Sequence, residues 1–378
     1  MGFHDLKKEL RLSKSVVAQE EKDLVSKVLD EGYLGMGTWV KTFEEDLSRY
    51  LDGVSVVAVN TGTSALHLAL MAVGVGSGDE VLVPSLTYVA SYQAISATGA
   101  IPVHCDVQLE TAHIDLKDAQ SRLTSKTKAI MTVDYAGNPC DYDAILFFAK
   151  ENGLRVIHDS AHSFGSLYQG KKVGTFGDIT CFSFDGIKNI TSGEGGAVVS
   201  SDPKVIQYVK DSRLLGVQKD SDLRYQGQRS WEFDVSHQGY RYHMSNIMAA
   251  IGIAQLKKFE SQFKPVRQKL AKLYVQEFQE LLGITLFNHD YDVVVPHIFP
   301  IRVGGGRRDD LRAYLIDLGI ACGIHYYPNH FLTYYKQKGL NLSVTEQLYS
   351  ELLTLPLHPE ISTEEVVIVC EKIRAFLS

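Results

Sequence analysis

The sequence predicts an α/β fold: a mainly parallel sheet covered on both faces by helices, followed by a smaller α+β unit. Two observations carry this. From about residue 54 to 200, short β-branched runs alternate with helical stretches, and the runs near 81, 102, 131 and 156 are separated by 20 to 30 residues. That rhythm is the mark of βαβ units. Beyond about residue 260 the pattern changes to helix, strand, helix. The strand-like runs are also apolar throughout, which fits strands buried on both faces.

Taken in order, 54–59 (Val-Ser-Val-Val-Ala-Val) reads as a strand and 64–73 as a helix with little polar surface. Further strands are read at 80–83, 101–104, 129–133, 154–157, 178–184 and 197–200. The glycines of 74–78 follow a helix and precede a strand, the reverse of a dinucleotide fingerprint, so they read as a helix stop and turn. Gly304-Gly305-Gly306 reads as another turn. Residues 216–238 are polar and turn-rich and read as one long loop, of a length that often serves as a lid or partner contact. A helix is read from about 245 to past 255, a strand at 293–303 and a helix at 308–318. The expected division is a large domain over 1–255, with an N-terminal arm at 1–30, and a small one over 256–378.

Composition narrows the class. The chain has 378 residues, 45% of them hydrophobic, and a net charge of −7. Such a chain is globular, supports a large core and is not a dedicated nucleic-acid binder. Five scattered cysteines, Cys105, Cys140, Cys181, Cys322 and Cys370, show no metal spacing and read as reduced thiols of a cytoplasmic protein. The first six residues lack the apolar core of a signal peptide, and Leu6 stands where an N-myristoylation signal wants Ser or Thr. No apolar run approaches the ~20 residues of a membrane span.

The chemistry is expected at strand ends, because open α/β sheets bind ligands beyond the carboxyl ends of their strands. Lys188 follows the strand that ends near Phe184, and Asp159 follows the run 154–157. A lysine and an aspartate so placed are what a pyridoxal phosphate enzyme needs. The lysine forms a Schiff base and later moves protons, and the aspartate keeps the pyridine nitrogen protonated so that the ring can store electrons. Thr61-Gly62-Thr63-Ser64, between a strand and a helix, reads either as a phosphate cradle or as an ordinary N-cap. Tyr88, just past a strand, reads as a ring stacker or as a half-buried aromatic. His158 and His162 have the spacing of a helical zinc pair, but His158 lies at a strand end, where that spacing does not share a face.

Taken in order, these pieces resemble one family. They are Glu31 to Gly37, Asn60 to Leu66, Pro84 to Tyr88, Asp159 to His162, Ser183 to Asn189, Gly193 to Gly196, Gly323 to Pro328 and Leu355 to Pro359. The chain resembles the DegT/DnrJ/EryC1/StrS sugar aminotransferases over about residues 10–375. The resemblance implies a fold-type I pyridoxal phosphate transferase with a seven-stranded sheet. In it Lys188 carries the cofactor, Asp159 faces its pyridine nitrogen and Tyr88 stacks on its ring. Gly62, Thr63, Ser64 and Ser183 hold the phosphate, and His162 lies beside the ring. It also implies a homodimer, L-glutamate as amino donor and a nucleotide-linked keto-deoxy sugar as acceptor, with Met36, His325 and Tyr327 as candidate acceptor contacts and surface glycans such as O-antigen among the end uses. One departure stands out. Where members read Gly-Tyr-Asn-Tyr-Arg-Met-Ser, this chain reads Gly239-Tyr240-Arg241-Tyr242-His243-Met244-Ser245. Arg241 then stands where members send an Asn to the neighbouring subunit's cofactor phosphate. The alternatives are a cyclitol aminotransferase, a non-catalytic cofactor-binding regulator and a metal-dependent hydrolase built on His158 and His162.

Overall fold

The computed structural model describes residues 9–229 and 231–378. The readings of a leader or an acylation site concern the first eight residues and lie outside that range. Five strands come first: β1 (Ser55–Val59), β2 (Glu80–Pro84), β3 (Ile101–Cys105), β4 (Thr127–Val133) and β5 (Arg155–Asp159). A small hairpin, β6 (Leu167–Tyr168) with β7 (Lys171–Lys172), precedes β8 (Ile179–Ser183) and β9 (Gly196–Ser200). Apart from the hairpin these strands make one seven-stranded sheet in the order β1-β9-β8-β5-β4-β2-β3. β8, β5, β4, β2 and β3 are parallel along the sheet, and β9 runs against both its neighbours.

Strand alternation sorts the side chains into two cores. Val56, Ala58 and Val156 join the core built with helices Thr38–Tyr50, Tyr142–Glu151 and Asn246–Lys258. Val57, Val59 and Ile157 join the opposite one, under helices Gly62–Ala72, Val89–Ala97 and Pro203–Ser212. Helix Gly62–Ala72 is apolar nearly all round because it is enclosed by the sheet and by both of those helices. A third core holds the C-terminal part, where β10 (Ile284–Leu286), β11 (Phe299–Val303) and β12 (Leu352–Leu355) form an antiparallel sheet backed by helices Lys264–Phe278, Arg308–Asp317 and Thr363–Leu377. No helix among the described residues is long and apolar enough to cross a membrane.

Two details depart from the sequence reading. The strand read at 293–303 is confined to β11. Pro296 brings no N–H to a ladder, and the preceding residues are spoken for elsewhere: the Val295 N–H donates to Ser166 Oγ at 2.8 Å and its carbonyl accepts from Asn189 Nδ2 at 3.2 Å. The loop read at 216–238 contains a short helix, Asp220–Arg224. Buried Arg213 anchors it, donating to Glu44 and to Tyr225, just past that helix, at 2.5 and 2.6 Å. The helix read from about 245 to past 255 is Asn246–Lys258, and it continues through a π-turn, Phe259–Phe263, into Lys264–Phe278.

Candidate active site

The site forms where β5 and β8 end side by side, with Asp159 in register with Cys181. Beyond β8 the chain turns at Asp185, whose carbonyl accepts the Lys188 N–H at 3.1 Å and whose carboxylate accepts that of Ile187 at 3.2 Å. It returns to β9 through Gly195, whose carbonyl accepts the Phe184 N–H. Asn189 locks the turn: its Nδ2 lies within 3.4 Å of the carbonyls of His162, Phe164 and Val295. Lys188 is thus presented on a fixed turn into a cavity of about 420 Å³ that it shares with Asp159, Gly62, Thr63, Tyr88, His162, Ser183, His297, His325 and Tyr326.

Helix Gly62–Ala72 aims its N-terminus at this cavity. Thr61 is its N-cap, with Oγ1 accepting the Ser64 N–H at 3.0 Å, and Ser64 Oγ donates to Asn60 Oδ1 at 2.8 Å. Ser64 is buried by these bonds and does not line the cavity. The N–H groups of Gly62 and Thr63, in the first turn, have no intrahelical acceptor. They face an opening where partial positive charge favours an anion. Close approach explains the glycine: a Cβ on Gly62 would fall 2.8 Å from Ser183 Cβ and 3.1 Å from its Oγ.

Burial sets the charges. The Lys188 amine is pulled down to about 8, although the Asp159 and Asp185 carboxylates pull the other way. Lys188 is only half-buried because the cavity reaches it, but protein surrounds it on the other sides. Burial pushes the Asp159 carboxyl above its usual range, while Ser91 Oγ, donating to Oδ2 at 2.7 Å, and the Ala161 N–H hold it partly back. Burial also holds the imidazoles of His162 and His297 well below the usual histidine value, and His325 at about 4. All three are neutral at pH 7.

Other candidates lie elsewhere. Met36 is fully buried in the core beside helix Thr38–Tyr50 and does not line the cavity. Tyr327 points outward against Phe331 and Tyr349. The neighbouring Tyr326 turns in instead, with its hydroxyl 2.8 Å from His162 Nε2 and its ring 5.7 Å from that of Tyr88. Arg241 is exposed, its backbone bridged to Leu214 and its carbonyl accepting from Asn60 Nδ2 at 3.4 Å, and it does not line this chain's cavity. His158 belongs to the opposite face of β5, bonded to Thr132 Oγ1 and packed on Tyr142, so it does not converge with His162. The sequence reading missed His297, whose Nε2 lies 3.4 Å from Lys188 Nζ, and Ser91, the partner of Asp159. His297 was hidden inside an apolar run read as strand.

A cofactor with a phosphate, an aldehyde and a basic ring nitrogen fits these residues. The helix N-terminus and Ser183 suit the phosphate, the amine that burial brings down to about 8 suits the aldehyde and the buried carboxylate suits the nitrogen. The crowding at Gly62 leaves no room for a side chain where the phosphate would sit. Comparison with known proteins agrees. The DegT/DnrJ/EryC1/StrS aminotransferase family model matches residues 16–374. GDP-perosamine synthase of Escherichia coli O157:H7 is 37% identical over 365 residues, 95% of this chain and 96% of that protein. Structures of Spr1654 from Streptococcus pneumoniae in its PLP and PMP forms superpose with a TM-score of 0.90 at 30% identity, covering 98% of each chain. PseC of Helicobacter pylori, an aminotransferase of pseudoaminic acid biosynthesis, gives 0.89 at 28% identity, covering 97% of this chain and 98% of that one. The chain belongs to the DegT/DnrJ/EryC1/StrS aminotransferase family.

Proposed function

We propose that this pyridoxal phosphate-dependent sugar aminotransferase moves an amino group from L-glutamate to a keto-deoxy sugar linked to a nucleotide, making an amino sugar. The observation that carries the reading is the convergence of Lys188, Asp159 and the N-terminus of helix Gly62–Ala72 on one cavity. The names of its relatives support a nucleotide-linked acceptor.

When bound, the cofactor supplies a carbon that takes up the amino group and a ring that stores the electron pair released at the donor's Cα. The residues do the rest. The N–H groups of Gly62 and Thr63 and the hydroxyl of Ser183 would hold the phosphate, and Asp159 would pair with the ring nitrogen. A buried carboxylate needs such a cationic partner, since an unpaired one is costly to bury. Tyr88 would cover one face of the ring and His162, held by Tyr326, would lie beside it. Lys188 Nζ takes the proton from the donor Cα and returns one to the sugar carbon that was the ketone; an amine near neutrality can do both at pH 7 to 8. His325, fixed by its 2.8 Å bond to Thr354 Oγ1, is the acceptor contact that faces this space.

The same reading makes the protein a homodimer, with Arg241 of each subunit reaching the phosphate in the other. Arg241 is exposed at the end of a segment that also exposes Trp231, Phe233 and Val235, and exposed apolar side chains in a cluster favour a protein contact. A guanidinium binds phosphate bidentately. The test is spectroscopic. Adding L-glutamate to the cofactor-loaded protein should bleach its visible band, and a nucleotide-linked keto sugar should restore it with release of amino sugar. A band indifferent to every amino donor would overturn the proposal.

A further inference from the structure

Behind Lys188 lies a layer that these roles leave unused. His297 is 4% exposed, packs on the ring of His162 with centroids 4.5 Å apart and places Nε2 3.4 Å from Lys188 Nζ. It comes from the irregular segment just before β11, which is pinned from several sides. Gln268 Nε2 donates to the Val294 carbonyl at 3.2 Å, Asn189 Nδ2 to that of Val295 at 3.2 Å, and Arg267 Nη1 to those of Pro296 and His297, both at 3.3 Å. Arg267 is 2% exposed, its Nε has no partner, and no carboxylate pairs with it among the described residues. Burying a guanidinium with no counter-ion is costly. Packing alone gives no reason to keep it, because an apolar side chain would fill the same space at less cost.

We propose that His297 is a further catalytic residue of the amino transfer, hydrogen-bonded to the Lys188 amine, and that Arg267 is the positioning residue that clamps the main chain of His297 in place. The inference rests on the reading of Lys188 as the proton-moving amine. A lysine side chain turns about several bonds, and holding its nitrogen in one direction has an entropic cost. An imidazole fixed by its own backbone does that holding. Arg267 does the fixing with a positive charge, so the clamp does not supply the amine with a counter-ion that would keep it protonated. Toward Nζ face the carboxylates of Asp159 and Asp185, the guanidinium of Arg267 and the neutral rings of His162, His297 and His325. Arg267 is the cation in that set that disfavours a second positive charge.

The experiment uses His297→Phe, His297→Gln, Arg267→Met and Arg267→Lys. In the holoenzyme, His297→Phe should lower kcat by about 10²-fold, the usual loss for a misplaced reacting group, with KM for glutamate little changed. His297→Gln, which keeps a polar atom in reach, should recover part of it. Arg267→Met should slow turnover too, and the double variant Arg267→Met/His297→Phe should be no slower than His297→Phe alone, as expected when one residue acts through the other. In the apoprotein, trinitrobenzenesulfonate modification of Lys188, followed by peptide mapping across pH, should show its midpoint moved to higher pH by Arg267→Met and not by Arg267→Lys. Native turnover in His297→Phe, or additive losses with an unmoved midpoint, would overturn the inference. Should Arg267→Met fail to fold, the two His297 variants decide. Borohydride labelling of Lys188 separates the two levels: labelling in all variants with native turnover sinks this inference alone, whereas an unlabelled Lys188 in the native protein sinks the reading beneath it.

Discussion

Replacing Gly62 by alanine pits two effects against each other. In an ordinary helix the change is favourable by up to about 1 kcal/mol. Here the added methyl would stand 2.8 Å from Ser183 Cβ and 3.3 Å from Ser183 Cα. Carbon atoms prefer about 3.5–4.0 Å, so the shortfall is roughly 1 Å. Ser183 cannot yield easily, because it is paired with Gly196 of β9 and β8 is held by β5 as far as Cys181, two residues before it. The start of helix Gly62–Ala72 must move instead, which carries the Gly62 and Thr63 N–H groups away from the Ser183 hydroxyl. Losing one hydrogen bond to a charged phosphate costs about 1.5–3 kcal/mol, more than the helix gains. Pyridoxal phosphate should therefore bind about 10- to 150-fold more weakly. Titration of the apoprotein, followed by the visible band, measures this, and thermal unfolding of the apo variant shows whether it is folded. A folded Gly62→Ala protein with native cofactor affinity would refute the reasoning and with it the phosphate site.

Three further outcomes are expected. Asp159→Asn, which removes a buried charge partner worth about 3–5 kcal/mol, should weaken cofactor binding by about 10²-fold or more and abolish most turnover, read by the same titration and by a coupled assay. Asn189→Ala strips a shared donor from three buried carbonyls and should destabilise the protein by about 2–3 kcal/mol in urea unfolding. The apoprotein should lose stability in mild acid. His104 and His158 are held by burial at about 4, below the usual value of 6.5. The unfolded chain therefore binds more protons below pH 6.5, so their contribution is present above that pH and is lost as pH falls toward 4, by up to about 1.4 kcal/mol per unit for each group. Melting temperatures at pH 7 and pH 5 check it, and equal values would contradict it.

The large sheet was legible because each of its strands is a β-branched run bounded by turn residues, and such a run has few other ways to bury itself. Lys188 and Asp159 stood out because both closed such runs. The C-terminal sheet was harder. β10 has only three residues, and β12 follows helix Ser343–Glu351 with no turn residue between them to mark where the helix ends. His297 was illegible for a different reason. Its run, Val293 to Val303, is apolar enough for a strand; Pro296 interrupts the ladder, but it is side chains from distant segments (Ser166, Asn189, Arg267 and Gln268) that hold the segment beside Lys188. Tyr326 and Tyr327 are adjacent, and nothing local says which one turns inward. Arg241 lies at the surface of the single chain, and only the proposed dimer would give its side chain a task.

The most direct test is to trap the cofactor on its amine. The protein is loaded with pyridoxal phosphate, reduced with borohydride, digested and mapped by mass spectrometry. A phosphopyridoxyl label on the peptide carrying Lys188, absent after prior conversion with L-glutamate, is the expected result. A label on another lysine, or none on a saturated yellow protein, would contradict it.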